Sequence, residues 1–413
     1  PIAELNTMAV EAKDGSDMAG WMKLALIARQ QENNTQMMLL SVEKWQEQFP
    51  THSGNYILPS PLASVIPKLF PQPKNIALLL PLTGPLAGPG GAIKDGFTAA
   101  LQASHQADSI KVNLYNTDKA DVAALYQQAI DEGAMYVVGP LGKAQVATVA
   151  ALNHPVPTLL LNDIAMPTQD NAYQFGLSPS NEARQVAVKA RKNGFTKALV
   201  IAPEGEWGDE VVHAFAVQWQ SSGAQVVDTL HYRPNDVLNT VVRDFLHITD
   251  SEARGRQLKQ LIGRSIESTP RRRQDFDVIF LLAYPSKARQ IMPLLKYYYA
   301  GDIPVYGTSA VYSGSVDAMK DRDLDGLIFC DMPWVFDHQM GSRNWPEQLN
   351  SYNRLYALGM DSFALSAQLN HLQLFPAMGV SEHSGILYLT GSNQIARILD
   401  WGQFRQGLVQ EMH

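Results

Sequence analysis

The 413-residue sequence contains a single cysteine, Cys330, so no disulfide can form within the chain. Cys330 follows Leu327, Ile328 and Phe329, an apolar run that predicts a buried strand. In such a run a cysteine acts as a small core hydrophobe. A lone thiol is compatible with a reducing cytoplasm and equally with a periplasmic protein that needs no disulfide. Cysteine content therefore assigns no compartment.

Long apolar runs are also lacking, since no stretch approaches the roughly 18 residues of a membrane span. The run at 278–283 has the length of a strand. The sequence opens at Pro1 without the basic and apolar regions of a secretory signal. We therefore expect the chain to be a trimmed or processed part of a longer protein, with any export or lipid signal upstream.

Positive charge is in the minority, with 33 Lys and Arg against 40 Asp and Glu, a net charge of −7 and a pI of about 5.8. This balance argues against broad binding of a nucleic-acid backbone, which needs a basic surface. The composition, 46% hydrophobic and 18% charged, is that of a globular protein. The length allows two or three domains.

Sequence patterns of catalytic and cofactor sites are missing. A dinucleotide motif starting at Gly88 fails, because Ile93 stands where the last glycine is needed. The segment 139–143 is too short for a phosphate loop, and 307–311 lacks the final glycine of a hydrolase elbow. The ten histidines form no zinc motif. We predict no catalytic residues, no cofactor and no metal site.

The chain is organised as a helical segment, a linker and a longer α/β region. Apolar residues recur at helical spacing in 1–58, which we interpret as the end of a TPR-like domain with further helical units upstream. Five prolines within 59–73 predict a stiff linker. From residue 74, strand and helix patterns alternate, which indicates doubly wound parallel sheets.

The alternation of strands and helices occurs twice along the chain, so we predict two Rossmann-like lobes. The first lobe is predicted at 74–178 and 332–376. The second lobe is predicted at 179–331 and 377–413. A helix is predicted to start near residue 92 after a glycine- and proline-rich turn, and another at 237–248. The last part is predicted to contain helices at 346–358 and 362–374, then short strands at 386–389 and 395–399.

A ligand cleft is expected between two such lobes, at the carboxyl ends of their strands. Residues at predicted strand ends are therefore candidates for lining it. They are Thr83, Gly84, Gly139, Leu141, Asn162, Ser178, Trp207 and Tyr284.

A basic run, Arg271, Arg272 and Arg273, interrupts the second lobe within the polar stretch 251–275. One interpretation is a solvated surface helix and loop. The other is a docking patch for an acidic surface on a protein partner. The sequence leaves both open.

Several segments together carry a family resemblance. The first, NIALLLPLTGP at 75–85, is similar to the opening strand of many type I periplasmic binding proteins. Narrower matches to one family follow it, namely FGLSP at 175–179, YYAGDIPVY at 298–306, FCDMPW at 329–334 and WGQFR at 401–405. With these segments the chain resembles the LpoA family of outer-membrane lipoproteins, which activate a class A penicillin-binding protein.

The resemblance implies a type I periplasmic-binding-protein fold preceded by TPR-like helices. It implies a periplasmic protein anchored to the inner leaflet of the outer membrane through a lipidated cysteine upstream. The implied function is activation of the peptidoglycan transpeptidase by direct contact, which regulates peptidoglycan synthesis without catalysis by the activator.

The alternative is a periplasmic binding protein for an amino-acid-like ligand or a cell-wall fragment. Amino-acid-binding relatives place a Ser or Thr at the turn after the third strand. This turn reads Gly-Pro-Leu-Gly at 139–142, which argues against an amino-acid ligand.

Overall fold

The computed structural model describes residues 7–8, 16–31, 35–56, 73–166, 168, 170–262, 269–337, 352–376 and 378–412. Packing divides the chain into two units. The first comprises Pro1–Leu177 and Leu355–Arg397, and the second comprises Ser178–Arg354 and Ile398–His413. This division groups 332–354 with the second unit and 377–397 with the first, whereas the boundaries drawn from the sequence assign them the other way round.

In the described residues between 16 and 56, the first unit has two α-helices, α1 (Asp17–Gln30) and α2 (Thr35–Gln48). Ser16 caps α1 by accepting a hydrogen bond from the backbone of Ala19. The indole of Trp45 donates to the carbonyl of Gly20 at 2.8 Å, and it packs with Leu24 and Phe375. The predicted helical segment is thus confirmed in its described residues. The linker predicted at 59–73 lies outside them, apart from residue 73.

The main sheet of the first unit is five-stranded and parallel, in the order β2-β1-β3-β4-β5. Strands and helices alternate along the chain, as predicted. The elements are β1 (Asn75–Leu80), α3 (Ala87–Ala103), β2 (Lys111–Asn116), α4 (Val122–Asp131), β3 (Tyr136–Val138), α5 (Lys143–Ala150), β4 (Thr158–Leu160) and β5 (Ala172–Gln174).

Strand β1 packs on both of its faces. Ile76, Leu78 and Leu80 lie in one apolar cluster with side chains of α3, and Ala77 and Leu79 lie in another with side chains of α4 and α5. All five are at most 1% exposed. A strand buried on both faces needs the continuous apolar run seen in the sequence.

Helix α3 begins at Ala87, so the start predicted at residue 92 was wrong by five residues. Pro89 is tolerated there, because the first turn of a helix has no intrahelical partners for its N–H groups. Gly90 is needed for space, since a Cβ at this position would lie 2.1 Å from the carbonyl oxygen of Pro81. The glycine- and proline-rich segment therefore forms the first turns of the helix.

The second unit has a seven-stranded sheet in the order β15-β14-β10-β9-β8-β6-β7, in which β14 is Asp400–Arg405 and β15 is Leu408–Met412. Strands β6 to β10 are parallel, and β14 and β15 add an antiparallel edge. The elements up to β10 are α6 (Pro179–Lys192), β6 (Lys197–Pro203), α7 (Glu206–Ser221), β7 (Gln225–Tyr232), α8 (Leu238–Phe245), α9 (Ile248–Ile262), β8 (Val278–Leu281), α10 (Pro285–Leu295), β9 (Val305–Gly307) and β10 (Ile328–Asp331).

The helix predicted at 237–248 is confirmed as α8, which ends at Phe245, and His247, with a φ of 58°, separates it from α9. A residue in this left-handed region cannot continue an α-helix. The prediction of an α/β fold with two doubly wound Rossmann-like lobes is confirmed.

After β10 come a short helix, α11 (Pro333–Asp337), and a long one, α12 (Asn353–Leu374). The sequence predicted two helices here, and α12 runs unbroken through the break expected around residues 359–361. A Cβ on Gly359 would lie 2.1 Å from the carbonyl oxygen of Ile93, and one on Gly96 would lie 1.9 Å from that of Tyr356. Both glycines let α12 and α3 approach closely.

The chain ends in five strands: β11 (Val380–Glu382), β12 (Gly385–Leu389), β13 (Ile395–Ile398), β14 (Asp400–Arg405) and β15 (Leu408–Met412). The strands predicted at 386–389 and 395–399 are confirmed as β12 and β13, and the other three were not predicted. Of the helices in the described ranges, none is at once long enough and apolar enough to cross a bilayer.

The contact between α3 and α12 can be tested with one alanine. Gly359→Ala places a methyl group against the backbone of Ile93. We expect the free energy of unfolding in urea to fall by about 2–4 kcal/mol. Gly91→Ala in α3 is the matched control, because a Cβ there meets nothing within 4 Å. It should raise stability by about 0.5–1 kcal/mol, and an equal loss for both variants would contradict the close contact.

His371, in α12, is 2% exposed, and neither ring nitrogen has a hydrogen-bond partner. Its ring lies 5.5 Å from that of Phe375. Burial lowers the pKa of His371 from 6.5 to about 4, because water is withheld from the charged imidazolium. The side chain is therefore neutral in the folded protein at neutral pH.

This burial predicts acid sensitivity. As the pH falls from 6.5 towards 4, the unfolded chain binds a proton at residue 371 and the folded chain does not, so stability decreases with falling pH. The loss should reach about 3 kcal/mol and level off below the folded pKa. We expect His371→Leu to remove this contribution, measured as the change in urea midpoint between pH 7 and pH 4. An unchanged pH profile in the variant would refute the assignment.

Candidate functional site at the sheet edges and the arginine run

Three polar side chains meet where β1 and β2 end. The hydroxyl of Thr83 donates to Oδ2 of Asp118 at 2.9 Å and accepts from Nδ2 of Asn116 at 2.8 Å. Oδ1 of Asn116 accepts from the backbone N–H of Leu82 at 2.9 Å. Thr83 is therefore engaged with its own chain.

Gly84, next to Thr83, has a φ of 73°, and a Cβ built on it would lie 2.5 Å from Oδ1 of Asp118. The Asp118 carboxylate thus fills the space over this turn. A ligand carboxylate placed here would meet a like charge, which is unfavourable at short range. Sequence reasoning missed Asp118, although its position just after β2 is the kind of strand end from which the other candidates were chosen.

Gly139, Leu141 and Asn162 follow the neighbouring strands β3 and β4. Gly139 has a φ of 107°, and a Cβ there would lie 2.0 Å from the carbonyl oxygen of Leu79. Nδ2 of Asn162 donates to the carbonyl of Leu141 at 3.0 Å, and Oδ1 accepts from the backbone of Asp163. Asn162 therefore ties two loops together.

In the second unit, Trp207 and Tyr284 follow the paired strands β6 and β8. Their rings stack with centroids 4.9 Å apart and an interplanar angle of 13°. Trp207 is half-buried and Tyr284 is 58% exposed. The third candidate here, Ser178, caps α6 by accepting from the backbone of Asn181. The structure thus brings together Trp207 and Tyr284 as an accessible aromatic pair.

The eight candidates are divided between the units, five in the first and three in the second. Each lies at or near the carboxyl end of a strand. That they line one common ligand cleft stays a prediction.

The three arginines of the basic run differ in their surroundings. The side chain of Arg273 is 9% exposed and forms ion pairs of 2.8 Å with Asp228 and Asp275. The hydrogen bond to Asp275, with help from Asp228, raises the pKa of Arg273. Arg272 is also 9% exposed in its side chain and pairs with Asp302 at 2.9 Å. Only Arg271 is fully at the surface.

An aromatic ring lies next to the guanidinium group of Arg272 and another next to that of Arg273. The guanidinium of Arg272 lies 5.3 Å from the ring of Phe276, and that of Arg273 lies 5.9 Å from the ring of Phe245. The Arg272 and Arg273 charges are thus directed into their own unit, an arrangement suited to holding loops together. That the run docks a partner stays a prediction, and Arg271 is the member whose exposure suits it.

A buried ion pair joins the end of β10 to Arg354. The guanidinium of Arg354 contacts both oxygens of Asp331, which is 1% exposed, and donates to the carbonyl of Tyr312 at 3.1 Å. Burial opposes the charge of Arg354, but the Asp331 carboxylate outweighs it and raises the pKa. Two charges that compensate each other in this way tolerate removal from water.

One group of possible metal ligands, Asp361, Glu382 and His383, occurs in the described part of the chain. Asp361 is fully buried and accepts from the backbone N–H groups of His383 and Ser384, at 3.0 and 2.7 Å. The ring Nδ1 of His383 lies 2.8 Å from the same carboxylate. These bonds engage both carboxylate oxygens in shaping the turn between β11 and β12.

Two α/β units with parallel sheets, the second extended by antiparallel strands, define a type I periplasmic-binding-protein-like fold. Solved structures agree. Full-length LpoA from Haemophilus influenzae matches 98% of this chain and 72% of its own, with a TM-score of 0.69 and 22% identity. A structure described as a “putative branched-chain amino acid ABC transporter” from Chromobacterium violaceum matches 80% of this chain and 99% of its own, with a TM-score of 0.58 and 24% identity.

The family model described as “LppC putative lipoprotein” matches residues 2–407. The chain therefore belongs to this family. A relative from Vibrio antiquarius (strain Ex25), named “Penicillin-binding protein activator LpoA”, is 27% identical over 97% of this chain and 69% of its own length. The chain spans about two thirds of the length of the curated relatives it matches. The resemblance drawn from the sequence segments is confirmed.

The structural role of the arginine run can be tested by truncation. Arg273→Ala removes two ion pairs and a buried stem, so we expect a loss of about 1–3 kcal/mol in unfolding free energy. Arg271→Ala, at the surface, should change it by less than about 0.5 kcal/mol. Thermal and urea unfolding of both variants would measure this. Equal stability of the two variants would show that the Arg273 contacts contribute nothing to the fold.

Proposed function

We propose that this protein is a non-enzymatic activator of a class A penicillin-binding protein, which it binds directly to promote peptidoglycan cross-linking. The observation that carries the proposal is the similarity, along 97% of the chain, to a relative named as a penicillin-binding protein activator. The solved LpoA C-domain from Haemophilus influenzae, described as a regulator of PBP1A, also shares the fold, with a TM-score of 0.62 and 23% identity.

Activation by binding needs a difference in affinity. The activator must bind one conformation of the synthase more tightly than another, because equal affinity for both shifts no population. A tenfold preference corresponds to about 1.4 kcal/mol, which a few interface contacts can supply. No group of the activator has to take part in the reaction.

We propose a periplasmic location with a lipid anchor in the outer membrane. Support comes from the family description as a lipoprotein. Cys330 is fully buried in β10, so it is unsuited to carry the lipid. The anchor would then lie on a segment outside the given residues.

The alternative, a periplasmic receptor for an amino-acid-like ligand, has less support. Thr83, a candidate for lining the cleft, donates to the carboxylate of Asp118, which would repel a ligand carboxylate placed there. A cell-wall fragment without a carboxylate at that position would escape this conflict. The stacked rings of the half-buried Trp207 and the exposed Tyr284 offer a stacking surface for one.

The proposal is tested with the 413-residue chain and the ectodomain of the cognate class A penicillin-binding protein. We expect a stable complex at micromolar concentrations and a several-fold increase in peptide cross-links formed from lipid-linked precursor. Mass-spectrometric analysis of the digested product would quantify the cross-links.

A synthase whose transpeptidase serine is replaced should still bind but form no cross-links, and an amino-acid-binding periplasmic protein of the same fold should do neither. Absence of a complex at micromolar concentrations would refute the proposal.

A further inference from the structure

A surface groove of about 270 Å³ lies on the second unit, between helix α6 and the start of strand β14. We call it the basic groove. It is lined by Arg184, Gln185, Val188, Lys189, Lys192, Ile398 and Trp401. All seven belong to the second unit.

The groove follows from the strand order. Helix α6 packs on β9 and β10, and α7 packs on β6 and β7. Strand β14 lies next to β10 on the far side from β9, outside the strands on which these two helices pack. Trp401, in β14, faces the flank of α6, since Nζ of Lys189 lies 5.4 Å from its ring centroid. The indole therefore belongs to the floor of the groove.

Apolar surface is exposed in the groove. Ile398 is 50% exposed, Val188 is 38% exposed and Trp401 is half-buried, and all three line the same groove. Isolated exposed apolar side chains are normal, but a contiguous set around a tryptophan is typical of an interaction site.

The charge of the groove is opposite to that of the chain. Arg184, Lys189 and Lys192 contribute three cations, and no lining residue is a carboxylate, although the net charge of the chain is −7. In the part of the chain that the structure describes, these three cations form no ion pair with a carboxylate. They differ in this from Arg272 and Arg273, whose charges are matched by aspartates of the same unit.

We propose that the basic groove is the docking site for the partner protein, and that it takes an acidic segment of the partner carrying a large apolar side chain. The apolar anchor would pack on Trp401, Val188 and Ile398. Its flanking carboxylates would pair with Arg184 and Lys192 at the rim. This inference rests on the proposed function, because it identifies the occupant as the class A penicillin-binding protein.

The test is charge reversal with a matched control. The double variant Arg184→Glu/Lys192→Glu inverts the rim of the groove. The control Arg254→Glu/Lys259→Glu makes the same change of net charge at two exposed positions of α9, in the same unit. Binding of the synthase ectodomain is measured by biolayer interferometry at low and high salt.

We expect the groove variant to bind at least about tenfold more weakly at low salt, mainly through a slower association rate, and the control to stay within about twofold of the parent chain. The parent's affinity should fall with added salt more steeply than that of the groove variant. Val188→Glu, which leaves the cations in place, should also weaken binding by burying a charge against Trp401.

Melting temperatures identify any variant that unfolds. If the variant Arg184→Glu/Lys192→Glu has a lower melting temperature than the control variant, Arg184→Gln/Lys192→Gln is measured in its place. Glutamine removes the charges and is a good helix former. If the folded groove variants bind the synthase as tightly as the control variant does, the basic groove is not the docking site, and the proposed function still stands. If the groove variants change only self-association of the chain, measured by sedimentation, the assignment of the groove to the partner protein is also refuted. If the parent chain itself does not bind the synthase, the proposed function is refuted, whatever the groove variants do.

Discussion

The buried ion pair between Arg354 and Asp331 is the interaction on which the end of β10 and the loops beside it in the second unit depend. Asp331 ends β10 in the second sheet, and Arg354 also donates to the carbonyls of Ser309 and Tyr312, so the pair holds separate segments of the second unit together. Removal of either partner leaves a buried charge uncompensated, which costs far more than the pair itself contributes.

The alternation of strands and helices could be read from the sequence, because doubly covered strands such as β1 need continuous apolar runs. Features that depend on distant neighbours could not. In the sequence, Gly359 predicts the end of a helix, whereas in the structure it lies inside α12 and provides space for α3. The partners of Arg273 include Asp228, which is 45 residues away in the chain. At the candidate sites, strand ends did bring Trp207 to Tyr284. Asp118 was missed because its role over Gly84 depends on how two loops fold together.

The net charge, likewise, does not show where charged side chains lie on the surface. A net charge of −7 describes the average surface, yet Arg184, Lys189 and Lys192 collect on one flank of α6. A run of three consecutive arginines draws attention in the sequence, but two of them are directed inward. The three cations of the groove are spaced along a helix and pass unnoticed, because only the turn of the helix and the course of β14 bring them beside Trp401. Local geometry decides which charges a partner can meet.

The burial of Cys330 has a practical and a biological consequence. Its sulfur is 0% exposed, within 4.0 Å of the carbonyl of Glu182 in the interior of the second unit. In an oxidising compartment this thiol is shielded from mixed disulfides with other proteins and from small oxidants. A cysteine introduced anywhere on the surface would therefore react alone with a maleimide dye. The natural sequence is already a background for attaching a single spectroscopic probe.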